Sequence, residues 1–296
     1  MRLNIEHVTT YRYGAPVELS PHRIMLSPRS SHSLHPRSSD LECRPAARIE
    51  WTQDVFGNLV ATASFVGSTR MLIITNRILV EQRASEWPVF KIAPHAHRYP
   101  FDYSNDDRID LGAFLTPGHA DPGDTLSNWA KAIVLSTETD TLSLLQDIST
   151  AVRNGIAYER RDAFGTQSPR ITLKRGAGSC RDLTTLFIDT VRHLGFGARA
   201  VSGYLFDPPL SDAAGDDHLQ HGATHAWAEV YRPCAGWIAF DPTNGRLGEA
   251  HLIPVAVARD IAQLSPIEGS FIGAADTPSS MTIDVTVSAS PMAAAV

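Results

Sequence analysis

The chain opens on an alternation. Polar Arg2, Asn4 and Glu6 interleave with apolar Leu3 and Ile5, and His7 follows. A period of two predicts a first strand with one face on a core. Short runs rich in Val, Ile, Leu and Thr recur at 59–65 and 71–80. Turn clusters separate them at 29–33, 36–40 and 56–58. Residues 1–90 therefore read as a β-sandwich-like or barrel-like domain. Between 91 and 124, Pro94, Pro100, Pro117 and Pro122 interrupt any long element. This predicts a connecting segment with one short helix.

From Thr125 the period lengthens. Leu142, Leu145, Ile148 and Val152 recur at three- and four-residue steps, and Asn154-Gly155 supplies a stop. A second stripe, Leu183, Leu186, Phe187, Val191 and Leu194, ends at Gly195. Strands are predicted at about 198–205, 225–231 and 237–241. Residues 125–275 thus form a second unit mixing helices with strands. The remainder, 276–296, holds one strand at 281–287. Its small-residue end, from Ser288 onward, is expected to be disordered.

Length and composition narrow the function classes. At 296 residues there is room for two domains. A net charge of -6 without a basic run disfavours nucleic acid. The adjacent Arg160 and Arg161 read as a solvated turn. No stretch of 18 apolar residues predicts a membrane span, and the N-terminus lacks a secretory hydrophobic segment. Three cysteines, Cys43, Cys180 and Cys234, make an odd count without framework spacing. That suits a reducing cytoplasm, where a thiol is free for chemistry.

One thiol stands out. In Gly176-Ala177-Gly178-Ser179-Cys180-Arg181-Asp182-Leu183, two glycines open the backbone just before a helix. Ser179 with Asp182 three residues on makes a capping box. Cys180 falls at the first helical position, where the helix dipole favours the thiolate. Its N–H can point toward a developing oxyanion. The plain alternative is a small buried cysteine near a helix end.

The second cue is a hairpin. Thr224-His225-Ala226-Trp227-Ala228-Glu229-Val230-Tyr231 alternates as a strand, with His225, Trp227, Glu229 and Tyr231 on one face. A turn leads into Trp237-Ile238-Ala239-Phe240-Asp241-Pro242. If Tyr231 pairs with Trp237, His225 faces Thr243 and Asp241 is its diagonal neighbour, roughly 7 Å away between backbones. Asp241 could then accept from one imidazole nitrogen while the other meets the thiol. A slip of one residue would separate them.

These segments resemble the core of the transglutaminase-like superfamily of cysteine enzymes. The matching residues are Gly178-Ser179-Cys180-Arg181-Asp182, Thr224 to Val230 and Gly236 to Gly245, with Leu194 to Arg199 and Val201 to Leu205 between them. The N-terminal part resembles the β-domain preceding that core in a bacterial subfamily, through Tyr11-Arg12-Tyr13, Leu19-Ser20-Pro21-His22 and Asp54-Val55-Phe56-Gly57-Asn58, among others. The resemblance implies an α+β, papain-like core with its cysteine helix on an antiparallel sheet. It implies Cys180 as nucleophile, His225 as base and acid, and Asp241 as orienting carboxylate. The reaction would be hydrolysis or transfer of a peptide or protein amide through a thioester. A papain-type glutamine six residues before the nucleophile is absent; Lys174 stands there.

Rival readings have less behind them. His218, His221 and His225 carry zinc-like spacing, but Gly222 breaks the segment; 206–224 reads as a polar flap beside the site. Neither a calcium loop nor a phosphate loop is present in sequence, and no cofactor is expected. A non-catalytic module that binds protein or glycan and keeps a relic triad is the remaining alternative. Trp227 is a candidate substrate wall, with a core aromatic as its plain counterpart. Oligomeric state is left open.

Overall fold

A computed structural model describes residues 1–134, 136, 138–161, 165–206, 219–221, 223–274 and 276–290. Six strands come first: β1 (Arg2–Leu19), β2 (His22–Ile24), β3 (Leu34–Arg44), β4 (Arg48–Gln53), β5 (Leu59–Ser64) and β6 (Ser68–Gln82). The alternation in β1 turns Leu3, Ile5, His7 and Thr9 inward. β1 pairs antiparallel with β6, and β6 with β3. A second sheet joins β2, β5 and β4. Tyr13, Val17, Ile24, Ala61, Ala63, Leu72 and Ile74 form a shared core drawn from strands of both sheets. A β-sandwich of this kind hides one face of each sheet.

The other edge of β1 holds a correction. It pairs over twelve residues with a strand at the far end of the chain, Ser279–Ser290. Ser288 and Ala289, expected to be disordered, sit opposite Asn4 and Leu3. Residues 291–296 lie outside the described residues. Ile267–Glu268, assigned from sequence to the second unit, pairs with β2. Local periodicity carries no information about partners so far away in sequence.

The connecting segment supplies α1 (Asn105–Leu111), whose N-cap Ser104 accepts from Asp107 N at 3.0 Å. Then follow α2 (Thr125–Ile133), α3 (Thr141–Gly155), α4 (Pro169–Arg175) and α5 (Cys180–His193). The α3 stripe buries Leu144, Leu145, Ile148 and Val152. α4 escaped the sequence reading. It has seven residues, opens on proline and buries only Pro169 and Thr172, too few for a period.

The core sheet runs Arg246–Leu247, Gly236–Asp241, Ala223–Arg232, Ala198–Leu205, Leu252–Ala258, all antiparallel. The last of these also went unread, because Pro254 interrupts it. Proline is tolerated there since the strand lies at the sheet edge. α5 is buried nearly all round: Leu183, Leu186, Phe187 and Val191 with Thr184, Thr190 and Arg192. Each fully buried large apolar side chain contributes about 1.5–3 kcal/mol. Phe187 stacks on Phe240 at 5.5 Å, and Thr184 Oγ1 donates to the Ala226 carbonyl at 3.0 Å. The helix head is thereby held against the histidine strand. Among the described residues no helix is long and apolar enough to cross a membrane.

Candidate active site

Cys180 is the first residue of α5 and is partly exposed, whereas Cys43 is buried and Cys234 is exposed in a turn. The helix head is organised by Asp182, which is 0% exposed. Asp182 Oδ2 accepts from Ser179 N at 2.9 Å and from Ser179 Oγ at 2.8 Å, closing the predicted capping box. The same carboxylate also accepts from Gln167 N at 2.6 Å and Arg161 Nη2 at 2.9 Å through Oδ1, and from Gln167 Nε2 at 3.1 Å and Arg161 Nε at 3.2 Å through Oδ2. Burial alone would raise this carboxyl, but Arg161 and the N–H donors hold it down at about 2. Arg161 is thus a partner of a buried carboxylate, not part of a solvated turn.

The two glycines before the thiol also have local reasons, one of backbone conformation and one of packing. Gly176 ends α4 with φ +64. At Gly178 an added Cβ would stand 2.8 Å from Asp182 Cβ. Their service to the cysteine is indirect, through the shape of the helix head. Gln167 does not replace the missing papain-type glutamine, because its amide is spent on Asp182 and the Ala177 carbonyl.

The hairpin register is the expected one: Tyr231 pairs with Trp237 and Ala228 with Phe240. The strand ends at Asp241, so Thr243 lies in the following turn rather than opposite His225. There it serves the carboxylate. Asp241 Oδ1 accepts from Thr243 N at 3.0 Å and Asn244 N at 3.2 Å, while Oδ2 accepts from Asn244 Nδ2 at 2.7 Å. His225 Nε2 meets Oδ2 at 2.9 Å. Asp241 is 0% and His225 8% exposed, so water screens this pair little.

Burial pushes the Asp241 carboxyl up, but the hydrogen bonds from His225 and Asn244 prevail and keep it below its usual value. Burial pulls the His225 imidazole down. The hydrogen bond to Asp241, with Cys180 as a further neighbour, outweighs that and raises it to about 9. The structure places Cys180, His225 and Asp241 as neighbours, His225 between the other two. Trp227 does not open onto solvent. It is 1% exposed, stacks on His225 at 6.2 Å between ring centroids, and belongs to a core of Val201, Ala239, Leu252 and Val257. The predicted flap falls largely on 207–218 and 222, outside the described residues, as does His218.

Two nearby residues were missed. Asn244 completes the cage around Asp241, and only the Asp-Pro-Thr-Asn turn hinted at it. Tyr158 lies on the short strand Ala157–Tyr158, parallel to Ala177–Gly178. Partial burial, with the charge of nearby Cys180, raises its phenol, and its ring is exposed.

Comparison with known proteins agrees with this architecture. A family model described as the bacterial transglutaminase-like N-terminal region matches residues 3–81, and that of the transglutaminase-like superfamily matches 127–242. An uncharacterized protein of Mycobacterium tuberculosis is 26% identical over 282 residues, covering 90% of this chain and 87% of its own. One from Mycobacterium leprae is 26% identical over 286 residues, 96% and 98% of the two chains. A solved candidate cysteine protease from Cytophaga hutchinsonii superposes with a TM-score of 0.71 at 21% identity, over 99% of this chain and 92% of that one. At that identity the likeness is one of fold.

Proposed function

We propose that this chain, whose residues 127–242 match the transglutaminase-like superfamily, is a cysteine-dependent enzyme that hydrolyses or transfers a peptide or protein amide. The observation that carries this reading is the buried 2.9 Å contact between His225 Nε2 and Asp241 Oδ2, with the Cys180 side chain neighbouring the same ring from the head of α5. Asp241 fixes the ring so that Nδ1 is the nitrogen left for sulfur. His225 accepts the proton of Cys180.

The sulfur attacks the amide carbonyl, and the Cys180 N–H at the helix start stabilises the oxyanion. The imidazolium gives its proton to the leaving amine, and a thioester remains on Cys180. Water, activated by the now neutral imidazole, attacks the thioester and regenerates the thiol; an amine in its place would give transfer. Hydrolysis is the preferred outcome because water needs no second pocket. That one structural neighbour is described as a candidate cysteine protease supports a peptide or protein substrate.

The test is mass spectrometry of the intact protein and of Cys180→Ser after incubation with cell-extract peptides. An acyl adduct at position 180, thioester in one and the more durable ester in the other, is expected. Full amide-cleaving activity in Cys180→Ala would refute the proposal. Equal alkylation of Cys43, Cys180 and Cys234 at neutral pH would favour the relic binding module instead.

A further inference from the structure

The turn 54–58 of the N-terminal domain, between β4 and β5, is built more firmly than a surface hairpin requires. Asp54 Oδ1 accepts from Phe56 N and Asn58 N, both at 2.9 Å, and Oδ2 accepts from Asn58 Nδ2 at 2.8 Å. Arg29 Nη1 donates to Asn58 Oδ1 at 2.6 Å. Asn58 is 1% exposed.

Its side-chain amide then behaves as a strand. Oδ1 accepts from Val257 N at 2.9 Å and Nδ2 donates to Val257 O at 2.7 Å. Val257 lies on the edge strand of the core sheet, so Asn58 satisfies backbone groups that an edge leaves unpaired. From there the register runs straight inward: Val257 pairs with Val201, and Val201 with Trp227. Phe56 packs against the cluster that these three residues share. Trp227 is confined on its other side, because the space beside its Cη2 would hold no Cβ at Gly203. Against it stacks His225, the strand partner of Gly203.

We propose, building on the reading of Cys180 and His225 above, that this turn is a positioning element of the active site. It clamps the sheet edge at Val257 and backs Trp227, and Trp227 holds the imidazole of His225 in line with Asp241 and the thiol. The N-terminal domain thus acts on the chemistry within its own chain. Asn58 and Phe56 are positioning residues that touch no substrate.

The experiment follows the rate of Cys180 alkylation by iodoacetamide against pH, resolved by peptide mass spectrometry, in the full chain. Among the described residues, Asp241, Tyr158 and Arg246, the strand partner of Asp241, are charged or titratable, and all are kept. Phe56→Ala and Asn58→Ala are compared with Val55→Ala, whose side chain in the same turn is 90% exposed. Native labelling should persist on the acid side through the imidazolium. In Phe56→Ala and Asn58→Ala the acid limb should move up by about half a pH unit, roughly a threefold loss of labelling on that limb. Val55→Ala should leave it in place, and circular dichroism should show all variants folded. If Asn58→Ala does not fold, Phe56→Ala decides. An unmoved limb in the folded Phe56→Ala protein overturns the positioning role and leaves the enzymatic reading intact. Absence of the acid limb in the native protein overturns both.

Discussion

His225 stands opposite Gly203 in the core sheet, and the missing side chain at Gly203 is what lets Trp227 lie flat behind the imidazole. A Cβ at position 203 would come within 2.1 Å of the Ile253 carbonyl oxygen and 2.7 Å of Trp227 Cη2. The first of these is backbone and cannot rotate away.

Gly203→Ala should therefore destabilise the protein by about 3 kcal/mol, at the upper end for overpacking. Activity per folded molecule should fall as well, since Trp227 and His225 must shift together. Urea denaturation with parallel assays of the soluble fraction measures both. A variant as stable as the native chain would mean that the strands at 203 and 253 are spaced more widely.

Asp241→Asn should lower kcat by about 10³- to 10⁴-fold without unfolding the chain. The amide can keep the contacts with Thr243 N and Asn244 N but no longer stabilises an imidazolium. KM should hardly move. A loss smaller than tenfold would remove Asp241 from the chemistry.

The raised His225 value carries a stability consequence of defined sign. Its folded value, about 9, lies above the ordinary 6.5, so protonation favours the folded state. That contribution is complete below about pH 6.5 and is lost as pH rises through about 9. The Tm advantage of native protein over His225→Ala should shrink across this window. The apparent midpoint belongs to the thiol–imidazole pair as a unit.

Asp182 shows the opposite sign. Its value, held at about 2, lies below the ordinary 3.8. The stability it contributes is present above about pH 4 and disappears as pH falls through about 2. Asp182→Ala leaves Arg161, Ser179 and Gln167 facing an empty site and should cost about 3–5 kcal/mol. Thermal melts of the two proteins at pH 7 and pH 3 check the magnitude and the direction.

Much of the site was legible because it rests on local patterns. The apolar stripe from Leu183 to Val191 fixed α5, and alternation on either side of a short turn fixed the hairpin that joins His225 to Asp241. What was hidden depends on contacts between distant segments. Asp182 looked like half of a capping box, yet it also binds Arg161 and Gln167, which no spacing rule connects to it. Trp227 carried the same period as His225, and periodicity alone could not tell a pocket wall from a buried support. The Leu252–Ala258 strand was concealed by Pro254, a residue compatible with a strand only at an edge.

The pairing of β1 with Ser279–Ser290 also sets an order of events during synthesis. One side of β1 is covered by β6 early, but the other side waits until residues 279–290 have left the ribosome. Through that interval a long strand edge is open to other chains. A nascent chain stopped before residue 279 would retain every residue of the site and still lack the closing strand of its first sheet.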